Sequence, residues 1–150
     1  MKRTIFAITC LLLGSTAAQS AEFIGALKVL TGSAGCNDGW NPVGGEFNGH
    51  LYPFSANPSD NYSQFAIFDR TLAMSAKISK GNFSAKLVNA ATTVIGRGTS
   101  SFSSKIAFVS QVPTKVSATT KFVNVNGKIV GFDDNPDCTI TFRYSGVLRQ

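Results

Sequence analysis

Cys36 and Cys138 constrain this chain more than any other pair of its residues. The first lies just beyond the opening apolar segment, "FIGALKVL", and the second begins the closing one, "CTITFRYSGVL". In an oxidising compartment two such cysteines read as one disulfide. It would close a loop of about a hundred residues, which in the chain-entropy model stabilises by about 3–5 kcal/mol. A fold that accepts this link must bring the end of its first element beside the start of its last.

The compartment is read from the N-terminus. Lys2 and Arg3 precede a short apolar run, "TIFAITCLLLG", and Ala18-Gln19-Ser20 fits a small-x-small cleavage rule. The run is shorter than the roughly 20 apolar residues that span a bilayer. Residues 1–20 are therefore expected to be a secretory signal, of bacterial character, with the periplasm or the medium as destination. Cys10 sits inside the apolar run, whereas a lipid-modified cysteine is expected at its end. Residues 21–150 then form a single domain, large enough for a genuine core.

That domain reads as all-β. Short apolar-polar alternations separated by turn residues recur, and no long stretch carries a helical period. In the last segment Cys138, Ile140, Phe142 and Tyr144 share one face, and Thr139, Thr141, Arg143 and Ser145 the other. Between the terminal segments, "EFNGHLYPF", "QFAIFD", "TLAMSAKI", "NFSAKLVNA", "SSKIAFVSQV", "KVSATTKFVNV" and "KIVGF" are further expected strands. Phe65, Phe68 and Leu72 also fit a helical spacing, but the alternation of Leu72, Met74, Ala76 and Ile78 favours a strand. Asn126-Gly127 predicts a tight hairpin turn. Small residues at Gly25, Gly49, Ala85 and Gly131 recur in similar local patterns, where a strand must bend or admit close approach. If the first and last strands are antiparallel neighbours, Cys36 and Cys138 fall at one end of the sheet. The expected fold is a single antiparallel barrel of about eight to ten strands, with a β-sandwich as the alternative.

Charge is unevenly placed. The net charge of +6 falls to about +4 without Lys2 and Arg3; Arg70 to Lys128 carries nine basic residues and no acidic one. That block is a possible surface for an anionic partner, against the ordinary reading of single solubilising charges on several strands. Lysines and arginines are not clustered with aromatic residues, so no nucleic-acid partner is expected.

Few residues carry chemistry. His50 is the only histidine, no Gly-x-Ser-x-Gly elbow accompanies it, and Glu46 and Asp38 would make an unusual zinc set with it. The segment "DDNPDC" alternates Asp133, Asn135 and Asp137 like the opening of a calcium loop. Cys138 and Tyr144, however, stand where an EF-hand needs Gly and an acid. A looser site from Asp133, Asp137 and Asp38 competes with a plain turn, which is the preferred reading. No pair of carboxylates is set up for glycoside hydrolysis. No metal, cofactor or catalytic residue is expected. The stretch "GCNDGWNPVGGEFNGH" holds the only Trp in a loop tied by Cys36. Trp40 there is either a plug for the barrel end or an exposed anchor of the kind enriched at binding hot spots.

The expectation is a secreted or periplasmic, non-enzymatic binding protein. It would take a small apolar ligand in the barrel, or a protein partner through loops bearing Asp38, Trp40, Asp133 and Asp137. An outer-membrane barrel is the alternative, disfavoured by the lack of aromatic girdles; a hydrolase or an inhibitor of unknown target comes third.

Overall fold

The computed structural model describes residues 22–37, 41–52, 62–69, 72–79, 87–94, 100–116 and 119–149. Among these residues eight strands form one closed up-and-down barrel: β1 (Glu22–Gly32), β2 (Glu46–Tyr52), β3 (Tyr62–Phe68), β4 (Leu72–Ser79), β5 (Val88–Val94), β6 (Ser100–Val112), β7 (Phe122–Val130) and β8 (Thr139–Arg149). Each strand is antiparallel to the next, and β8 returns to β1 with Gly25 opposite Gly146 and Leu27 opposite Tyr144. Closure leaves no open sheet edge to pair with another chain. β1 and β6 each carry an irregularity, at Leu30 and Val109, where one extra residue breaks the register. Such bulges increase local bending, which closure of so small a sheet requires.

The alternation in the sequence sorts residues to the two sides of the wall. Phe23, Leu27, Phe65, Ile106, Phe142 and Tyr144 are among the fully buried inward side chains. Lys28, Asn48, Gln64, Asn89, Lys105 and Arg143 point outward. The lumen is filled by aromatic contacts: the Phe65 ring lies 5.2 Å from Tyr144, 5.5 Å from Phe108 and 6.1 Å from Phe142. Two hydroxyls inside the wall satisfy each other. Thr92 Oγ1 donates to Ser104 Oγ at 3.0 Å, and Ser104 donates to the Gly131 carbonyl at 2.7 Å. No buried side-chain nitrogen or oxygen of the described residues lacks a partner, as a stable interior demands.

Tyr144 organises the seam. Gly146, Gly25 and Gly49 face one another across β8, β1 and β2, and the Tyr144 ring lies over that row. A Cβ on Gly49 would stand 2.5 Å from the ring, and one on Gly146 would strike the phenol oxygen. The hydroxyl crosses the row and donates to the Phe23 carbonyl at 2.8 Å. Burial pushes its pKa far above the ordinary phenol value, so it remains a donor. At Gly25 a side chain would instead run into the Ser145 carbonyl of β8. Of the small residues singled out for close approach, Gly25 and Gly49 thus lie where strands and ring meet.

Several expected elements shift. Asn126-Gly127 is not a hairpin turn: β7 runs straight through it. Gly127 faces inward, where a Cβ would stand 2.5 Å from the Phe142 ring. Asn126 faces outward, donating to Ser110 Oγ at 3.0 Å and accepting from Arg143 Nε at 3.1 Å. The strand expected over "KVSATTKFVNV" starts only at Phe122. β6 ends at Val112, opposite Asn124, so the ladder between β6 and β7 ends there. Within "NFSAKLVNA" the described strand runs from Val88, residues 82–86 lying outside the described residues, and of "KIVGF" Lys128 to Val130 form the end of β7. Residues 72–79, by contrast, form the strand that the alternation favoured. Gly131 lies in a turn with φ 72°, not in a bent strand, and Ala85 lies outside the described residues.

Gly25→Ala should cost about 3 kcal/mol or more, since a backbone collision cannot be relieved by a side-chain rotation. Tyr144→Phe keeps the ring and should cost about 1 kcal/mol. Urea unfolding of the two variants would measure both, and equal losses would contradict a seam in which Gly25 meets backbone and the Tyr144 hydroxyl adds a single hydrogen bond.

Candidate functional site

The disulfide joins Cys36 to Cys138, with Cα atoms 4.4 Å apart. Cys36 lies in a 3₁₀ turn at Ala34–Asn37 after β1, and Cys138 directly precedes β8. Because those strands are antiparallel neighbours, both cysteines fall at one end of the barrel. Polar contacts bind the same two loops. Asn135 Nδ2 donates to the Gly35 carbonyl at 2.7 Å, Ser33 Oγ donates to the Asp137 carbonyl at 3.0 Å, and Thr139 N donates to Ser33 Oγ at 2.9 Å. The loops press so closely at Gly35 that a Cβ would strike the Asp137 carbonyl.

Between β7 and β8 the chain turns sharply. Gly131, Asp133 and Asp134 have φ of 72°, 54° and 60°. Aspartate enters this left-handed region more readily than most residues, yet two successive cases store strain of about 1 kcal/mol or more each. The turn is held by Phe132, which is buried and meets Phe47 edge-on at 5.7 Å. Backbone bonds from Gly131 and Phe132 to the Cys138 carbonyl complete it. Phe132 is therefore a plug for this end of the lumen. Asp137 is exposed and Asp133 half-buried. Trp40 and Asp38 lie outside the described residues, so the structure does not place either beside them. Asn135 is consumed by the turn itself, since its Oδ1 accepts from Asp137 N at 3.1 Å while its amide nitrogen serves Gly35. Both polar atoms of the Asn135 side chain thus serve the turn. No group of three metal-ligating side chains occurs among the described residues.

A second cluster lies at the opposite end, on the outer wall. His50 Nδ1 donates to Glu22 Oε1, Tyr52 donates its hydroxyl to the same oxygen at 2.7 Å, and Arg149 Nη1 lies 3.5 Å from Oε2. The His50 ring packs against Phe68 at 5.3 Å and Tyr52 at 6.1 Å. Hydrogen bonds from Tyr52 and His50 hold the Glu22 carboxyl below its ordinary pKa, and the same bond raises that of Tyr52. A carboxylate that orients an imidazole is one part of a general-base device. The ring's described neighbours, however, are aromatic faces with no Ser or Cys nucleophile among them.

The sequence reading gave His50 no such partners. They were recoverable from register: if β1 and β2 pair with Ile24 opposite His50, then Glu22 faces Tyr52, and all share the polar face. The basic block is represented by Lys77, Lys105, Lys115, Lys121 and Lys128, all exposed; Arg70 lies outside the described residues.

Comparisons with profiles of known protein families, with curated proteins and with solved structures return no match. The class that the geometry defines is a closed, eight-stranded meander barrel with one end stapled by a disulfide.

Ionised Glu22 ties β1 to β2 and β8, so Glu22→Gln should cost about 1–2 kcal/mol at neutral pH. The folded-state pKa lies below the ordinary 4.5, so this contribution is complete above that value and is lost as the pH falls through the lowered pKa. Unfolding curves of the native protein and Glu22→Gln should converge in acid; a gap that persists there would assign the loss to packing.

Proposed function

We infer that this is a non-enzymatic binding protein of an oxidising compartment, the periplasm or the medium, which engages a protein partner with its disulfide-tied loop end. The observation that carries this reading is the pre-ordering of that end. A disulfide, three cross-loop hydrogen bonds and the buried Phe132 hold two loops in one shape, including the strained Asp133–Asp134 backbone. A surface already ordered loses little conformational entropy when a partner docks. Strain of this kind also tends to gather where a backbone is held for recognition.

The rival readings find less support. A ligand in the lumen would compete with the stack around Phe65, which already occupies the middle of the barrel. A barrel in the outer membrane carries an apolar outer band, whereas outward positions here include Lys28, Asn48, Gln64, Asn89, Lys105 and Arg143. For an enzyme, the Glu22–His50 pair has an orienting carboxylate but no neighbouring nucleophile among the described residues.

Photo-crosslinking in the exporting cells tests the reading. A crosslinker placed at Asp137 should yield one protein adduct, and one placed at Asn89 on the barrel wall should not. The adduct should weaken in the Cys36→Ser/Cys138→Ser variant, and Trp40→Ala should reduce affinity for the captured partner by about 2 kcal/mol. Equal labelling from both positions, or an adduct indifferent to the disulfide, would reject a loop-end site.

A further inference from the structure

The outer wall formed by β6, β7 and β8 differs from the rest of the barrel. Half of the exposed large apolar side chains among the described residues gather on it: Val109, Val112, Phe122 and Val147 are 66%, 58%, 53% and 64% exposed. Register places three of them near one another. Phe122 lies opposite Val147, and Val112 lies opposite Asn124, one outward position along β7 from Phe122. These three mark the end of the barrel away from the disulfide, since β6 finishes there and β7 begins there. Exposed Lys115 and Lys121 flank this tip in the connection between β6 and β7. Arg143 and Lys128 lie further up the same wall. From Ser100 to Val130, and along β8, the sequence contains no acidic residue. Among the described residues the carboxylate at this end, Glu22, is already engaged by His50, Tyr52 and Arg149.

We propose that this wall is a docking surface for an anionic lipid bilayer. Phe122, Val112 and Val147 enter the headgroup–acyl boundary, and Lys115 and Lys121 meet the lipid phosphates. The pattern of a few apolar side chains at a tip, collared by lysines, suits an interface held by shallow insertion and by attraction to anionic lipid. It suits a protein partner poorly. Lysine is depleted at protein interfaces, and three or four side chains fall well short of the roughly 800 Å² per partner of a stable one. A second copy of the chain would bring two cationic walls face to face, which opposes association. Docked this way, the barrel holds its disulfide end away from the membrane, where the loops remain free to meet a partner.

Residues 21–150 contain all eight strands and the disulfide, so this chain, without the apolar N-terminal run, is the form to test. Flotation with vesicles of equal parts phosphatidylglycerol and phosphatidylcholine should carry the protein, and pure phosphatidylcholine vesicles should not. Recruitment should vanish as added salt shortens the Debye length from about 10 Å to about 3 Å. Lys115→Gln/Lys121→Gln should weaken partitioning by roughly thirtyfold, and Phe122→Ser/Val147→Ser by about tenfold or more. Both variants alter exposed positions, and unchanged melting would verify that they fold. The proposal is overturned if the folded protein ignores anionic vesicles, binds both vesicle types alike, or is recruited equally after either pair of substitutions. A dimer in solution that Phe122→Ser/Val147→Ser abolishes would give the wall to a second copy and also overturn it. Because the apolar tip and the stapled loops lie at opposite ends, failure here leaves the crosslinking result at Asp137 unaffected.

Discussion

The seam between β8, β1 and β2 depends on one side chain lying where three others are missing. Tyr144 needs a flat floor beneath its ring, and Gly146, Gly25 and Gly49 supply it from three adjacent strands. A residue with a Cβ at any of these positions would push the ring off the wall or push the strands apart. The phenol hydroxyl then reaches the Phe23 carbonyl, fixing the ring across the first strand while its other side meets Phe65 edge-on at 5.2 Å. One aromatic residue therefore both closes the wall and begins the packed lumen, and Phe142 over Gly127 repeats the arrangement toward β7. An aromatic ring over a glycine restores contact area that the glycine alone would forfeit.

Other features inherit their position from that seam. With Gly25 opposite Gly146, the chain leaving β1 and the chain entering β8 meet at one end, which brings Cys36 to Cys138. At the other end the same register sets Glu22 opposite Arg149 and Ile24 opposite Val147. The disulfide and the ladder are thus redundant in topology but not in energy. Strand pairing stabilises the folded state, whereas a cross-link spanning 102 residues acts in large part by restricting the unfolded chain. That restriction favours a barrel whose first and last strands must find each other late, after a long loop has closed.

The legibility of the sequence follows the same physics. Alternation disclosed which face of β8 turns inward, because side-chain period in a strand is strict and Ile140, Phe142 and Tyr144 have no other place to go. The paired cysteines disclosed that β1 and β8 are neighbours. Asn126-Gly127 misled because a dipeptide suited to a tight turn is also suited to a strand crowded by a ring; local preference could not register Phe142, which arrives from another strand. Strand ends were misread where a neighbouring strand stops, as β6 does at Val112, since pairing is a property of two segments. The Glu22–His50–Tyr52 cluster was missed because its members are separated by a connection, and only an assumed register brings them together. Phe132 as the plug was hidden in the same way: its burial depends on the left-handed turn around it, not on any periodicity.

The topology also explains how a bias in sequence becomes a bias in space. In a Greek-key sandwich, consecutive strands are often sent to different sheets, so a basic block of sequence is dispersed over the molecule. In a meander barrel every strand lies beside its sequence neighbours, and a block of like charge becomes a sector of the wall. The acid-free stretch from Ser100 to Val130 forms two adjacent strands and their connection, and β8, which also lacks acids, adds the third. Isolated lysines, each unremarkable on its own strand, then sum to a one-signed surface whose field extends over about a Debye length, roughly 8–10 Å at ordinary salt. The acidic turn at Asp133 and Asp134 interrupts that sector only at the stapled end. Charge and apolar exposure therefore vary along the barrel axis as well as around it, and the two ends of one barrel present different chemistries.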